Sequence, residues 1–285
     1  MHPLLTIITP YRNASKFLPR FVSSMQSQTR TDWICLMIDD GSTDDGPIEL
    51  ARLVAADCRF TLIKNTSPKH WPGPASARNC ALSLVKTSLV AFCDVDDLWH
   101  PRKLEYQVHF HCSNNLDLSV SAYGRFLHER PSDPIRTFVC PPANLDLKDL
   151  YGRNPIPMLT VIMSSDLAAG GFLQVPHEDF LFWLELFRAN PSLRYGCLPT
   201  VLGFYCIHRD NLSSQKASMP IWTYRVFRNF GLSRISSLAL LLSWISDHLL
   251  GRPYSCFLPN LTKSSVSDLL EMHPLHLEQD VLSSS

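Results

Sequence analysis

The sequence predicts an α/β fold with a doubly wound, mainly parallel sheet flanked by helices, and three observations support this. First, four short apolar runs occur early in the 285 residues, at 4–9, 33–38, 60–63 and 89–92. Second, each run has the length of a strand and is nearly all apolar, as strands covered on both faces are. Third, apolar residues recur at helical spacing between the runs, and this alternation is typical of parallel sheets.

The connecting helices each carry a recognisable start. The first is predicted over residues 17–25, after Asn13 and Ser15, which can cap it. The second follows Pro47, a favourable residue for a first turn, and the third covers residues 75–85. Because ligands of such sheets bind beyond the carboxyl ends of the strands, functional residues are expected directly after each strand.

The remainder of the chain mixes both kinds of element. The predicted elements are a helix over 101–117, strands over 118–126, 160–163 and 201–207, a helix over 180–187, and helices from residue 220 onward. Four prolines between residues 129 and 145 indicate an irregular loop. His109 and His111, in the first of these helices, are expected on a solvated face.

Composition argues against several classes of protein. Lys plus Arg and Asp plus Glu both number 26, so no general basic field exists to bind nucleic acid. The nine cysteines form no CxxC pair, and several lie in apolar runs, which indicates free thiols in a reducing compartment. We expect a cytoplasmic protein without a signal peptide, because the first residues lack a basic segment followed by a long apolar one.

Acidic residues follow two of the predicted strands. One cluster runs from Asp39 to Asp44, and the other contains Asp94, Asp96 and Asp97. Carboxylates this close repel one another, and a divalent cation such as Mg²⁺ or Mn²⁺ removes that cost. Because Mg²⁺ often takes one or two protein carboxylates and fills its other positions with phosphates, a nucleotide diphosphate is the predicted partner.

A purely structural interpretation of these clusters stays open. Asp-Gly-Ser is ordinary turn chemistry, and Asp97 has the position of a helix cap. The conjunction of the two clusters favours a binding site, because the carboxyl ends of two parallel strands would converge on one crevice.

The chain resembles the family 2 glycosyltransferases of the GT-A fold in six segments with fitting order and spacing. They are TIITPYRN at 6–13, IDDGSTDD at 38–45, GPASARN at 73–79, DVDDLWHPRKLE at 94–105, HEDFLFWLELF at 177–187 and YCIHRDNLSS at 205–214. The resemblance implies a GT-A catalytic domain over 1–217, with a nucleotide-binding half over about 1–100 and an acceptor-binding half over 101–217. Residues 218–285 then form a helical C-terminal extension.

The resemblance also implies a role for individual residues. The nucleotide and donor sugar would be bound by Pro10, Tyr11, Asn13, Asp39 or Asp40, Arg78, Asp94 and Arg209. Asp96 would bind the metal together with His208, and Asp97 would support it. Asp179 would be the catalytic base.

Simpler roles are available for several of these residues. Glu178 and Asp179 precede an apolar helix, where carboxylates complement the helix dipole. Arg78 could be a surface charge, Tyr11 an edge aromatic and His208 an ordinary strand-end residue.

The predicted chemistry is an inverting, metal-dependent, hexosyltransferase-like transfer. A base accepts the proton of the acceptor hydroxyl as that hydroxyl attacks the anomeric carbon, and a cation neutralises the departing diphosphate. No covalent enzyme intermediate is needed, so the configuration inverts. The donor is expected to be a nucleotide-diphosphate sugar, with uridine favoured by the resemblance alone.

Two alternatives differ in class. A non-catalytic nucleotide-sugar-binding protein is disfavoured because every acidic position is present. A metal-dependent phosphotransferase or phosphatase using Asp94 and Asp96 is disfavoured because such enzymes have this motif after the first strand. A dinucleotide oxidoreductase is excluded, since Asp39-Asp40-Gly41-Ser42 replaces the glycine-rich turn.

The C-terminal region contains an apolar helix over residues 238–250, which is too short to span a bilayer. Arg225, Arg228, Arg234 and Arg252 flank it. A membrane interface suits this composition, and so does packing on the catalytic domain or a second subunit. A peripheral membrane contact would suit an enzyme that extends a saccharide or lipid-linked glycan for the cell surface.

Overall fold

The computed structural model describes residues 3–67, 73–133, 135, 137–208, 218–249, 255–256, 265–271 and 275–276. Its first part is the predicted alternation of strands and helices. The elements are β1 (Leu5–Tyr11), α1 (Leu18–Gln26), β2 (Trp33–Asp39), α2 (Gly46–Leu53), β3 (Phe60–Lys64), α3 (Ala75–Leu82) and β4 (Leu89–Phe92). The four strands lie in the order β3-β2-β1-β4 and are all parallel.

Both faces of this parallel sheet are covered. Ile7 of β1 belongs to the apolar core that contains α1 and Leu50 of α2. Its neighbour Ile8 belongs to the second core, which contains Ala77 and Ala81 of α3. Because successive side chains of a strand point to opposite faces, the sheet is doubly wound, as predicted.

The second part of the chain extends the same sheet. Its elements are β5 (Leu98–Trp99), α4 (Lys103–Ser113), β6 (Leu118–Leu127), β7 (Thr137–Val139), α5 (Leu147–Leu150), a 3₁₀ turn (Met158–Thr160), β8 (Ile162–Ser164), α6 (Ser165–Ala168), α7 (Glu178–Ala189) and β9 (Tyr195–Ile207). β8 lies between β4 and β6 and is antiparallel to both. β6 and β9 are parallel, so the sheet as a whole is mixed.

Three expectations for this part were wrong in detail. The stretch expected to be irregular contains β7, because the Phe138 side chain is fully buried. β9 begins at Tyr195 and not at residue 201. His111 is buried and lies 3.1 Å from the Ser119 hydroxyl, and burial lowers the pKa of His111. His109 is exposed, as expected.

The C-terminal region contains α8 (Met219–Asn229), α9 (Arg234–Leu249), β10 (Ser255–Cys256), α10 (Val266–Glu271) and β11 (Leu275–His276). Val226, Phe227 and Phe230 are buried in the core that also contains α7. The expected boundary at residue 217 lies outside the described residues. Among the described helices, none has both the length and the apolar character needed to cross a membrane.

Candidate active site

The loops at the carboxyl ends of the strands surround one cavity of about 740 Å³. Most of the predicted site residues line it: Pro10, Tyr11, Asn13, Asp40, Arg78, Asp94, Asp96, Asp179 and His208. The cavity therefore lies where ligands of such sheets are expected, beyond the carboxyl ends of the strands. Arg209 lies outside the described residues.

Asn13 joins the loop after β1 to the loop after β2. Its side-chain Oδ1 accepts a hydrogen bond of 2.7 Å from the backbone amide of Thr43, and the backbone amide of Asn13 donates to Ser42 Oγ at 3.1 Å. The φ angle of Asn13 is 49°, a left-handed conformation that asparagine tolerates better than most residues. Asn13 thus fixes the shape of the two loops where the nucleotide is predicted to bind.

The two neighbouring aspartates after β2 have different surroundings. Asp39 Oδ1 accepts a hydrogen bond of 2.8 Å from the Ser42 amide, and Asp39 is not among the residues found to line the cavity. Asp40 does line it, and its Oδ1 accepts a 2.7 Å hydrogen bond from Asn65 Nδ2. Asp39 therefore stabilises the turn, whereas Asp40 lies in the cavity wall, where it can contact a ligand. Nothing in the sequence distinguished Asn65 from other loop residues.

Tyr11 is buried in the cavity wall and is not an edge aromatic. Burial raises the pKa of Tyr11, and the charges of Asp39 and Asp44 raise it further. The phenol therefore stays neutral at physiological pH and can donate a hydrogen bond.

Arg78 is a buried bridge between two carboxylates and not a surface charge. Its Nη2 donates to Asp94 Oδ1 at 2.8 Å, and its Nη1 donates to Glu178 Oε1 at 2.7 Å. Burial alone would lower the pKa of Arg78, but the charges of Asp94 and Glu178 outweigh it and the net shift is upward. Arg78 therefore ties the acidic segment after β4 to the start of α7.

The three carboxylates of the acidic segment after β4 each have a different partner. Asp94 pairs with Arg78, and Asp96 Oδ2 lies 2.8 Å from His208 Nε2. Asp97 is buried and accepts a 2.9 Å hydrogen bond from the Cys206 amide. Burial raises the pKa of Asp97 well above its usual range, and the neighbouring carboxylates add to this. Asp97 therefore holds this segment to β9.

Asp96 and His208 provide two donor atoms that suit a divalent cation. Asp96 Oδ2 and His208 Nε2 lie 2.8 Å apart as a hydrogen-bonded pair, and together they would be able to hold a cation. No group of three or more Asp, Glu, His or Cys side chains suited to a metal occurs among the described residues. Asp96 and His208 are thus the two described residues on which a cation site is predicted.

Asp179 lies in the first turn of α7 and faces the cavity. Its Oδ2 accepts a 2.8 Å hydrogen bond from Asn154 Nδ2. Burial raises the pKa of the adjacent Glu178 to about 7, although Arg78 opposes this shift. Both carboxylates line the cavity but they differ in partner, because Glu178 binds Arg78 while Asp179 binds Asn154. Asn154 was not predicted, since it lies alone in a loop.

Hydrogen bonds from buried side chains hold one part of the cavity wall in place. Lys103 Nζ donates to Gln107 Oε1 at 2.6 Å, and Gln107 Nε2 donates to the Thr160 carbonyl at 2.7 Å. The indole of Trp99 donates to the Leu159 carbonyl at 2.9 Å. These bonds hold the 3₁₀ turn, whose Met158 and Leu159 line the cavity.

Comparison with known proteins identifies the family. Residues 6–172 match the profile described as Glycosyl transferase family 2. The chain belongs to this family. This family 2 glycosyltransferase is 29% identical over 247 residues to the Escherichia coli protein named UDP-Glc:alpha-D-GlcNAc-diphosphoundecaprenol beta-1,3-glucosyltransferase WfgD, with 85% of this chain and 92% of WfgD covered.

Two solved structures share the fold. TarS residues 1–349 of S. aureus, in complex with UDP-GlcNAc, has a TM-score of 0.65 and 18% identity, with 88% of this chain and 73% of that chain covered. The mannosyltransferase PcManGT from Pyrobaculum calidifontis, in complex with GDP-Man and Mn²⁺, has a TM-score of 0.61 and 17% identity, with 87% and 71% covered. The fold is the predicted GT-A type.

Proposed function

We propose that this glycosyltransferase moves a hexose from a UDP-sugar to the sugar of a lipid-linked glycan, with inversion at the anomeric carbon. The observation that carries the proposal is the single cavity that contains Asp40, Asp96 and Asp179. The activity in the name of WfgD supports both the donor and the acceptor. The name of WfgD gives a β-1,3-glucosyl product from UDP-glucose, in which the glucose is α-linked. This change of configuration supports inversion. The GT-A architecture shared with TarS is consistent with the same class of donor.

Binding of the nucleotide is assigned to the half of the domain before residue 100. Pro10, Tyr11 and Asn13 would contact the nucleoside, and Asp40 would accept a hydrogen bond from the base. Arg78 would hold Asp94 in position toward the ribose or the donor sugar. Asp39 would act through the turn that it caps. Arg209, which lies outside the described residues, is proposed to bind the diphosphate.

Asp179 is assigned as the general base. Its carboxylate faces the cavity, and Asn154 holds one of its oxygens. The other oxygen can accept the proton of an acceptor hydroxyl as that hydroxyl attacks the anomeric carbon. Residues 101–217 would provide the acceptor half, and 218–285 the helical extension.

A divalent cation, Mg²⁺ or Mn²⁺, is assigned to Asp96 and His208. A bound ion would supply charge neutralisation for the diphosphate leaving group. The 2.8 Å pair of donor atoms supports this assignment, and so does the Mn²⁺ in the complex of PcManGT. Asp97, held by the Cys206 amide, keeps Asp96 at the cavity.

Peripheral contact with the inner face of the membrane is assigned to α9. Ile235, Leu238 and Leu242 recur at helical spacing and are 83%, 52% and 59% exposed. Arg225, Arg228 and Arg234 are exposed on α8 and at the start of α9, where they can meet anionic lipid. Leu250 and Arg252, also expected to contribute, lie outside the described residues.

The proposal is tested with the full chain, UDP-hexoses and GlcNAc linked through a diphosphate to a decyl chain. We expect transfer in the presence of Mn²⁺, a disaccharide product by mass spectrometry, and an anomeric proton coupling that shows inversion. EDTA should abolish transfer. Release of free hexose without a disaccharide, or no turnover with any UDP-hexose, would contradict the proposed reaction.

A further inference from the structure

The cavity wall includes a side chain from the C-terminal region. In the described part of the chain, Trp222 of α8 is the one residue after residue 208 that lines the cavity. The other lining residues come from the catalytic domain. A large aromatic side chain supplied by a separate helix therefore forms part of the cavity wall.

Packing of α8 fixes the position of Trp222. The neighbouring Thr223 and Val226 are buried, and the rings of Phe227 and Phe180 of α7 lie 5.9 Å apart. Arg188 of α7 also donates to the carbonyl of Phe230, at 2.8 Å. The helix is thus anchored on α7, and Trp222 lies at the edge of the buried face.

Trp222 covers the beginning of the helix that carries Asp179. Its ring centroid lies 5.5 Å from that of His177, the residue immediately before Glu178 and Asp179. His177 has a φ of 52°, a conformation that non-glycine residues rarely adopt. Burial lowers the pKa of His177, so the ring packs on Trp222 as a neutral aromatic. The two rings meet edge to face, at an interplanar angle of 66°, and line the same cavity as Asp179.

We propose that Trp222 and His177 form the binding platform for the acceptor's terminal pyranose, so that the C-terminal extension recognises the acceptor. This inference rests on the proposed function. One face of a pyranose consists largely of C–H groups, which match the apolar face of an indole, while the sugar hydroxyls remain at the rim. A pyranose on this platform presents a hydroxyl near Asp179. The nucleotide occupies the part of the cavity lined by Tyr11 and Asp40, which follow β1 and β2.

The test compares Trp222→Leu, Trp222→Phe and Ile221→Ala in the full chain. Leucine keeps an apolar side chain but lacks a flat ring, phenylalanine keeps a ring, and Ile221 is an exposed neighbour on the same turn. The rates are measured against the concentration of GlcNAc-diphosphate-decyl acceptor at saturating UDP-hexose. Donor KM and thermal stability are measured in parallel.

We expect Trp222→Leu to raise the acceptor KM about tenfold, the equivalent of about 1.4 kcal/mol, with the donor KM unchanged. Trp222→Phe should lie in between, and Ile221→Ala should match the wild type. If the wild type transfers sugar and Trp222→Leu keeps its acceptor KM, this inference fails and the proposed function stands. The inference is also overturned if Trp222→Leu raises the donor KM by the same factor as the acceptor KM and lowers thermal stability as well. If the wild type transfers nothing, the proposed function itself fails.

Discussion

Arg78 and Glu178 are 100 residues apart in the chain, yet Nη1 of the one lies 2.7 Å from Oε1 of the other inside the protein. Both side chains are almost fully buried. The same guanidinium binds Asp94, so one cation balances the carboxylates on two walls of the cavity. Removal of this cation should affect folding and donor binding together.

We expect Arg78→Met to lower the free energy of unfolding by about 3–5 kcal/mol, because it leaves Glu178 buried without its partner. UDP affinity should fall as well. Denaturant unfolding and titration calorimetry measure the two effects, with the exposed Arg52→Met as control. Adding Glu178→Gln to Arg78→Met should restore part of the stability. A single variant as stable as the wild type would contradict the bridge.

Asp179→Asn should reduce the rate of transfer by a factor of about 10²–10⁴, because the amide cannot accept the proton of the acceptor. UDP affinity should remain normal. Asp166→Asn is the matched control, since Asp166 is an exposed carboxylate in the first turn of α6. Single-turnover rates at saturating donor separate chemistry from binding. Normal rates in Asp179→Asn would remove Asp179 from the reaction.

Asp96→Ala should make UDP binding independent of Mn²⁺. In the wild type we expect Mn²⁺ to raise UDP affinity, and EDTA to reverse the effect, because the ion joins protein to phosphate. His208→Ala should lose part of this gain. The exposed Asp133→Ala should retain it in full. Calorimetry with and without Mn²⁺ decides the matter, and equal wild-type UDP affinity under both conditions would rule out the metal assignment.

Lys103 should make stability depend on pH. Burial lowers the pKa of Lys103 from 10.5 to about 7 in the folded protein. Between pH 7 and pH 10.5 the unfolded chain therefore binds a proton that the native state lacks, and this raises the free energy of unfolding as pH rises. Below pH 7 both states are protonated, and the contribution is constant.

Lys103→Met lacks this titration. The free energy of unfolding of the wild type, minus that of the variant, should rise by about 2 kcal/mol from pH 7 to pH 9. Subtraction removes the contributions of other groups, including the buried thiols. Urea unfolding at several pH values measures the difference, with the exposed Lys148→Met as control. A difference that does not change with pH would show that Lys103 keeps its proton.

The combined substitution Leu238→Glu and Leu242→Glu should abolish flotation with vesicles that contain anionic lipid. It places two charges in the exposed apolar stripe of α9. Ala239→Glu with Ser243→Glu introduces the same charges at the same spacing on the neighbouring exposed face and should retain flotation. Removal of everything after residue 217 is a poorer test, because it also removes Val226 and Phe227 from the core. Failure of the wild type to float would end the membrane proposal.

The sequence predicted the parallel half of the sheet and the place of the cavity, since both follow from short-range patterns. Apolar runs mark strands, and polar residues at strand ends mark ligand sites. That rule led to Asp40, Asp94 and Asp96, all of which line the cavity. It could not separate Asp39 from Asp40, because only the folded turn shows which carboxylate caps an amide.

Features that depend on distant contacts were missed. Asn65 and Asn154 orient carboxylates across loops, and no local pattern marks a lone asparagine. β7 and His111 escaped for the same reason, because partners elsewhere in the sheet decide their burial. Trp222 lay in the stretch predicted to be helical from residue 220 onward, and only the docking of α8 on α7 brings it to the cavity.

The parts of the cavity are widely separated in the chain, and this has a consequence for synthesis on the ribosome. Asp96 and His208 are 112 residues apart, and Asp97 and Cys206 are 109 apart. A nascent chain therefore carries the acidic segment after β4 long before Cys206 and His208 exist to bind Asp97 and Asp96. Because domains form from the N-terminus during translation, the growing chain cannot complete the cavity wall until His208 has emerged. The cavity is thus completed late in synthesis, after the parallel half of the sheet has been made.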